Sequence, residues 1–265
     1  MDQTRTPGRL WPFLLLTFTI SWGIGGAWLL FPKPLSSAFG PFVYGAPPYY
    51  VAAWAPTLSA LILTAIAEGP SGLARLLRRL TPLTPVRAWL VAAPTLPLIA
   101  LALCGLMPRL GPWPVTPHAV LVATPLLLFT TAQIVTNSGP LGEELGWRGY
   151  ALPRLLTRTS PLKAGVALGM IWTLWHVPAF LFSGIVNSSL ANLPWYALGT
   201  VGLSLLMTAL FVRTRGNVLL AGIIPHFVVN GLGATGAWAT RPAEALALIV
   251  VGTLLLLLPV RVATS

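Results

Sequence analysis

Residues 10–31 read LWPFLLLTFTISWGIGGAWLLF, 22 positions without one charged side chain. A chain crossing hydrocarbon must satisfy its own backbone N–H and C=O groups, and a helix of about 20 apolar residues does so across about 30 Å. The stretch is therefore read as a membrane-spanning helix. Arg5 and Arg9 precede it, as in a signal peptide, but the run is longer than the usual apolar region of about 7–15 residues and lacks a convincing cleavage site. It reads as an uncleaved anchor. Comparable runs recur near 50–68, 88–107, 118–137, 162–184, 194–213, 217–236 and 243–260. The expected fold is all-α: a polytopic transmembrane helical bundle of about eight spans.

Composition agrees, with 55% hydrophobic and 8% charged residues and a mean hydropathy of +0.80. The basic residues orient the bundle. With the N-terminus inside, Arg5, Arg9, Arg75, Arg78, Arg79, Arg87, Arg148, Arg154, Arg158, Lys163, Arg213, Arg215 and Arg261 fall on cytoplasmic segments, and only Lys33, Arg109 and Arg241 fall outside. This asymmetry is the positive-inside pattern and puts both termini in the cytoplasm. The net charge of +11 does not indicate a nucleic-acid partner, because the arginines are scattered over loops flanking the membrane. The densest group, Arg75 to Arg79 with leucines at helical spacing, fits a short amphipathic helix on anionic lipid. No linker or composition shift divides the chain, so residues 1–265 form a single integral membrane domain. Cys104 is the sole cysteine, which excludes an intrachain disulfide and a cysteine metal cluster. Gly165 and Gly169, four apart, would let another helix approach the fifth span closely.

Against this apolar background the polar residues of the second half demand a function. Glu143 and Glu144 are two of only five acidic residues. Ionisable groups at membrane depth are costly and by default functional. Pro140 suits the first turn of a helix running through both glutamates to Arg148, and the four-residue spacing lets Glu144 and Arg148 pair on one face. Glu143 is left free of that pairing. Trp172 and His176 share a face of the fifth span, and His226 and Asn230 share a face of the seventh. Each pair alone could be structural glue between helices. Pro178 and Pro225 flank the two histidines, and backbone freed by proline beside polar groups fits a water-filled cavity.

The ordered set Glu143-Glu144-x-x-x-Arg148, Trp172-x-x-x-His176 and His226-x-x-x-Asn230 resembles the CPBP family, the type II CAAX prenyl endopeptidases with the bacteriocin-processing or Abi proteins. The resemblance covers about 119–236. Gly149 and Tyr150 follow the arginine as they often do in the family, whereas Trp172 stands where phenylalanine is common. The resemblance implies an intramembrane endopeptidase that hydrolyses membrane-associated or C-terminal peptide substrates. Glu143 with His176 nearby would activate water, His226 and Asn230 would donate to the oxyanion, and Glu144 with Arg148 would hold the glutamate helix. That scheme needs no cofactor. The family has also been described as metalloproteases, and Glu143, His176 and His226 could instead form a zinc site, although no His-Glu-x-x-His helix is present.

Two further classes share these residues: a proton-coupled transporter, and a non-catalytic bacteriocin-immunity protein. A peptide or membrane protein arriving laterally or from the cytoplasmic side of a bacterial cytoplasmic membrane is the expected substrate.

Overall fold

In the computed structural model the described residues are 9–81, 138–182, 185, 189–234 and 242–258. Among them there is no strand. The helices are α1 Trp11–Leu30, α2 Pro32–Phe39, α3 Pro47–Ala53, α4 Ala55–Arg78, α5 Ser138–Gly146, α6 Leu152–Leu156, α7 Pro161–His176, α8 Leu193–Arg213, α9 Ile224–Ala234 and α10 Pro242–Leu257. Four stretches, Trp11–Leu30, Ala55–Arg78, Pro161–Leu181 and Leu190–Arg213, are long and apolar enough to cross a membrane, and Leu219–Asn230 and Ala245–Leu257 are shorter apolar helices. The expected spans at 88–107 and 118–137 lie outside the described residues.

Helix α8 is the centre of the bundle: 78% of its apolar window is buried, against 17% for α1. Glycines make the contacts around it close. A Cβ on Gly169 of α7 would lie 2.6 Å from Val201 Cα, one on Gly165 would lie 2.9 Å from Leu205 Cδ2, and one on Gly202 would lie 2.7 Å from the backbone N of Ile249 in α10. With hydrocarbon on the outside, burial of apolar surface does not draw helices together, and this close van der Waals packing replaces it. The Gly165 and Gly169 pair does what its spacing predicts.

Helix α4 bends at Gly69, whose φ of 62° and ψ of −160° suit glycine alone, and Pro70 starts the second segment with no N–H to satisfy. The Arg75 to Arg79 segment is thus set off from the apolar part of α4, with Leu76 buried and Leu77 exposed. The connection from α8 to α9 docks on this end: Val218 N donates to Arg79 O at 2.8 Å, and Asn217 Nδ2 donates to Thr81 O at 2.8 Å.

Two π-helical turns, Trp147–Ala151 and Leu219–Ile223, interrupt the helices that carry the polar residues. Each is closed by a donor to the residue five back, Leu152 N to Trp147 O and Ile224 N to Leu219 O, and proline, Pro153 or Pro225, follows that donor. Proline cannot donate and its ring crowds the carbonyl four residues back, so widening the turn relieves both conflicts.

Candidate active site

Helix α5 brings the two glutamates to α4. A Cβ on Gly142 would lie 2.8 Å from Trp54 Cδ1, and one on Gly146 would overlap the Pro56 backbone, so the two glycines bracketing the glutamates let α5 lie directly on α4. Thr57 Oγ1 donates to Leu141 O at 3.0 Å and pins the contact.

The charges here are buried: Glu143 is 4% exposed, His226 5%, and Glu144 and Arg148 0%. Arg148 therefore departs from the sequence expectation, which counted it with the cytoplasmic loops. The π turn places it inside, where Nη1 donates to Glu144 Oε1 at 3.0 Å and the guanidinium lies 4.3 Å from the Trp172 ring centroid. The expected pairing of Glu144 with Arg148 is present. Glu144 Oε1 also lies 2.8 Å from His226 Nδ1, a contact the sequence spacing does not reveal. With Nδ1–H donating to that carboxylate, Nε2 is the ring nitrogen left to face the site. Room for Glu144 comes from Gly222, where a Cβ would meet Glu144 Oε2 at 2.8 Å.

Glu143 has a different neighbourhood. Trp172 Nε1 donates to its Oε2 at 2.7 Å. The tryptophan is more than a ring beside the histidine, since it fixes one carboxylate oxygen and leaves Oε1 for other work. His176 Nδ1 lies 2.9 Å from Trp172 O and donates to it, which turns Nε2 away from the helix. Tyr196 and Trp175 pack against the His176 ring at 5.6 and 4.7 Å between centroids.

The remaining atoms converge on Gly139. A Cβ at that residue would lie 3.0 Å from Asn230 Nδ2, 3.1 Å from His226 Nε2 and 3.4 Å from Glu143 Oε1. One point thus sits within about hydrogen-bonding reach of an amide donor, an imidazole nitrogen and a carboxylate oxygen. Gly139 is the position in this cluster that the sequence analysis does not single out. Its signal was a residue without a side chain one turn before Glu143.

A cavity with about 510 Å³ of empty space, its open part included, reaches Glu143. Glu143 and His176 line it together with Ser21, Trp22 and Gly25 of α1, Phe42, Tyr49, Ala52 and Ala53 around α3, and Trp175, Pro178, Ala179, Phe182 and Ile185 at the end of α7 and beyond. Trp175 Nε1 donates to Ser21 Oγ at 2.9 Å, and Ser21 Oγ donates to Ala52 O, so α1, α3 and α7 are tied together at the cavity wall. Among the described residues no three His, Cys, Asp or Glu side chains gather in an arrangement that could hold a metal ion.

A bundle of membrane-length apolar helices in which Glu143, His226 and Asn230 converge, beside a cavity lined by Glu143 and His176, defines the class, and comparison with known proteins shows what the chain is similar to. Residues 124–232 match the family model for type II CAAX prenyl endopeptidase Rce1-like proteins. A stretch of 93 residues is 36% identical to CAAX prenyl protease 2 of Methanococcus maripaludis, covering 33% of this chain and 34% of that protein. The chain thus matches about a third of the length of this curated relative. The segment that is similar to this family holds Glu143, Glu144, Arg148, Trp172, His176, His226 and Asn230.

Proposed function

We propose that the protein is an intramembrane endopeptidase that cleaves a peptide or membrane-protein substrate with water activated by Glu143. The observation that carries this reading is the convergence of Glu143 Oε1, His226 Nε2 and Asn230 Nδ2 about the missing side chain of Gly139, with Glu143 also lining a cavity. Water held there gives a proton to Glu143 Oε1 while its oxygen attacks the scissile carbonyl. His176, lining the same cavity with Nε2 unprotonated, accepts a hydrogen bond and orients the water.

The carbonyl oxygen becomes an oxyanion and needs donors. Asn230 Nδ2–H is one. His226 Nε2 is the second when it carries a proton, and Glu144 against Nδ1 holds the ring in place. One well-placed donor of this kind contributes about 3 kcal/mol to the transition state. Collapse of the intermediate breaks the C–N bond, and Glu143 returns its proton to the leaving amine. Arg148 offsets the second carboxylate of the pair, so that Glu143 is not forced to share a site with an unbalanced Glu144.

The name of the Methanococcus relative suggests a prenylated C-terminal motif as one substrate candidate. A bacterial cytoplasmic membrane is the proposed location. The test is cleavage of a quenched-fluorescent peptide library by the purified protein in nanodiscs, wild type beside Glu143→Gln, with and without a zinc chelator. We expect cleavage that disappears in Glu143→Gln and survives the chelator. Loss on chelation with recovery on adding zinc would transfer the reading to a metalloprotease, and full activity in Glu143→Gln would refute it.

A further inference from the structure

Trp175 and His176 are consecutive on α7, and consecutive helical residues point about 100° apart. Their rings nevertheless meet edge to face, 4.7 Å between centroids at 83°. The helix does not dictate that contact, so the indole must be turned toward the imidazole and kept there. Trp147 packs against the indole at 5.9 Å and 75°, and Tyr196 closes on His176 at 5.6 Å. Packing of this kind confines a ring but is weakly directional, whereas a hydrogen bond is sharply directional.

The directional contact comes from α1. Trp175 Nε1 donates to Ser21 Oγ at 2.9 Å, and both residues are 8% exposed. Ser21 Oγ gives its own proton to Ala52 O of α3, so it turns a lone pair to the indole and can only accept there. Trp22, the next residue on α1, also reaches α7, but its Nε1 donates to the backbone carbonyl of Trp175 at 3.2 Å, a group whose place the helix already sets. The bond from Ser21 acts on the ring. His176 itself is held at one edge, where Nδ1 donates to Trp172 O at 2.9 Å, and the indole of Trp175 is its second constraint.

We infer that Ser21 is a positioning residue for His176: through the Trp175 indole it sets the plane of the imidazole whose Nε2 orients the water at Glu143. This rests on the peptidase reading, and it puts a working part of the site on α1, outside the 124–232 segment. Without the bond from Ser21 the indole turns, and the imidazole swings about its contact with Trp172 O and carries Nε2 away from the water.

The test is a double-mutant cycle on the whole chain in nanodiscs. Ser21→Ala removes the acceptor, and Trp175→Phe removes the N–H but keeps a ring. Each is expected to lower kcat about 10–100-fold, as a misplaced catalytic group does, with KM within about twofold of wild type. The double variant should lose no more than the worse single one, because both changes break the same bond. Ser21→Thr keeps the hydroxyl and should restore kcat, and Gly23→Ala, on the same helix with nothing within 4 Å of its Cβ, should leave it unchanged. Losses that multiply in the double variant, or a kcat for Ser21→Ala within about twofold of wild type, overturn the inference. Solid-state ¹⁵N NMR of histidine-labelled protein reads the ring without catalysis, the His176 signal being assigned by its loss in His176→Asn. Wild type should show one Nδ1–H tautomer, and Ser21→Ala and Trp175→Phe a mixture of both. A His176 signal unchanged in both variants overturns the inference. If that signal responds as expected but wild type cleaves no peptide, the peptidase reading fails and the coupling of Ser21 to His176 stands.

Discussion

Gly139 and Arg148 show two different ways in which one residue governs this site. At Gly139 the chain must leave space. A methyl group there would press on Asn230, His226 and Glu143 at 3.0–3.4 Å, a contact tight enough to displace a water or an oxyanion but not tight enough to break the helix. Gly139→Ala is expected to lower kcat by about 10²–10³-fold, the effect of losing an oxyanion donor, while the thermal midpoint moves by only a few degrees. A collapse of the midpoint would show that the glycine serves packing instead.

At Arg148 the chain must supply charge. Its guanidinium is wholly buried against Glu144 and the Trp172 face, and removing one member of a buried pair strands the other, at about 3–5 kcal/mol. Arg148→Met keeps the volume and removes the charge. Its chemical denaturation in detergent should show a loss of that size, and an unchanged midpoint would show that His226 alone balances Glu144. Spacing was enough to foresee the pair of Glu144 with Arg148, because four residues on a helix fix a shared face. The contact of His226 with Glu144 was not legible, since it joins residues 82 apart and depends on how two helices pack.

Among elements, α7 carries Trp172 and His176 and rests on α8, and glycine decides how close that contact is. Gly169→Ala places a methyl on the Val201 backbone at 2.6 Å, where no rotamer change can relieve it. It should lower stability by about 1–3 kcal/mol, as overpacking does. Gly23→Ala on α1 meets nothing within 4 Å and should leave stability unchanged or slightly raised, because glycine is a poor helix former. Thermal unfolding of both variants in the same nanodiscs gives the comparison, and equal losses would refute the role of the α7 and α8 contact.

Spans were readable as elements because apolar runs end at prolines and arginines: the expected 10–31, 162–184 and 194–213 fall within a few residues of α1, of α7 with its 3₁₀ turn, and of α8. The π turns were not read. Their signal is a proline two positions after the turn, at Pro153 and Pro225, and apolar periodicity is blind to one extra residue per turn.

For the whole molecule the question is which part of the chain chooses the substrate. Every proposed catalytic residue lies within the 124–232 segment that matches the family, yet one wall of the cavity comes from residues 21–53, outside it. Chemistry and selectivity therefore draw on separate stretches of sequence, joined in space by Ser21 between Trp175 and Ala52. An apolar side chain gains about 25 cal/mol per Å² on leaving water, so shortening the aromatic wall weakens binding of large residues without touching the reacting atoms. Trp22→Ala and Phe42→Ala are expected to raise KM about 5–50-fold for peptides with a large apolar residue at the cleavage site, the equivalent of about 1–2 kcal/mol. The kcat of these variants should stay within about twofold of wild type, because uniform binding is lost and transition-state contacts are kept. Steady-state kinetics on matched peptides with alanine or phenylalanine at that position decide the matter. A fall in kcat with constant KM would mean that the α1 and α3 wall shapes the catalytic atoms themselves.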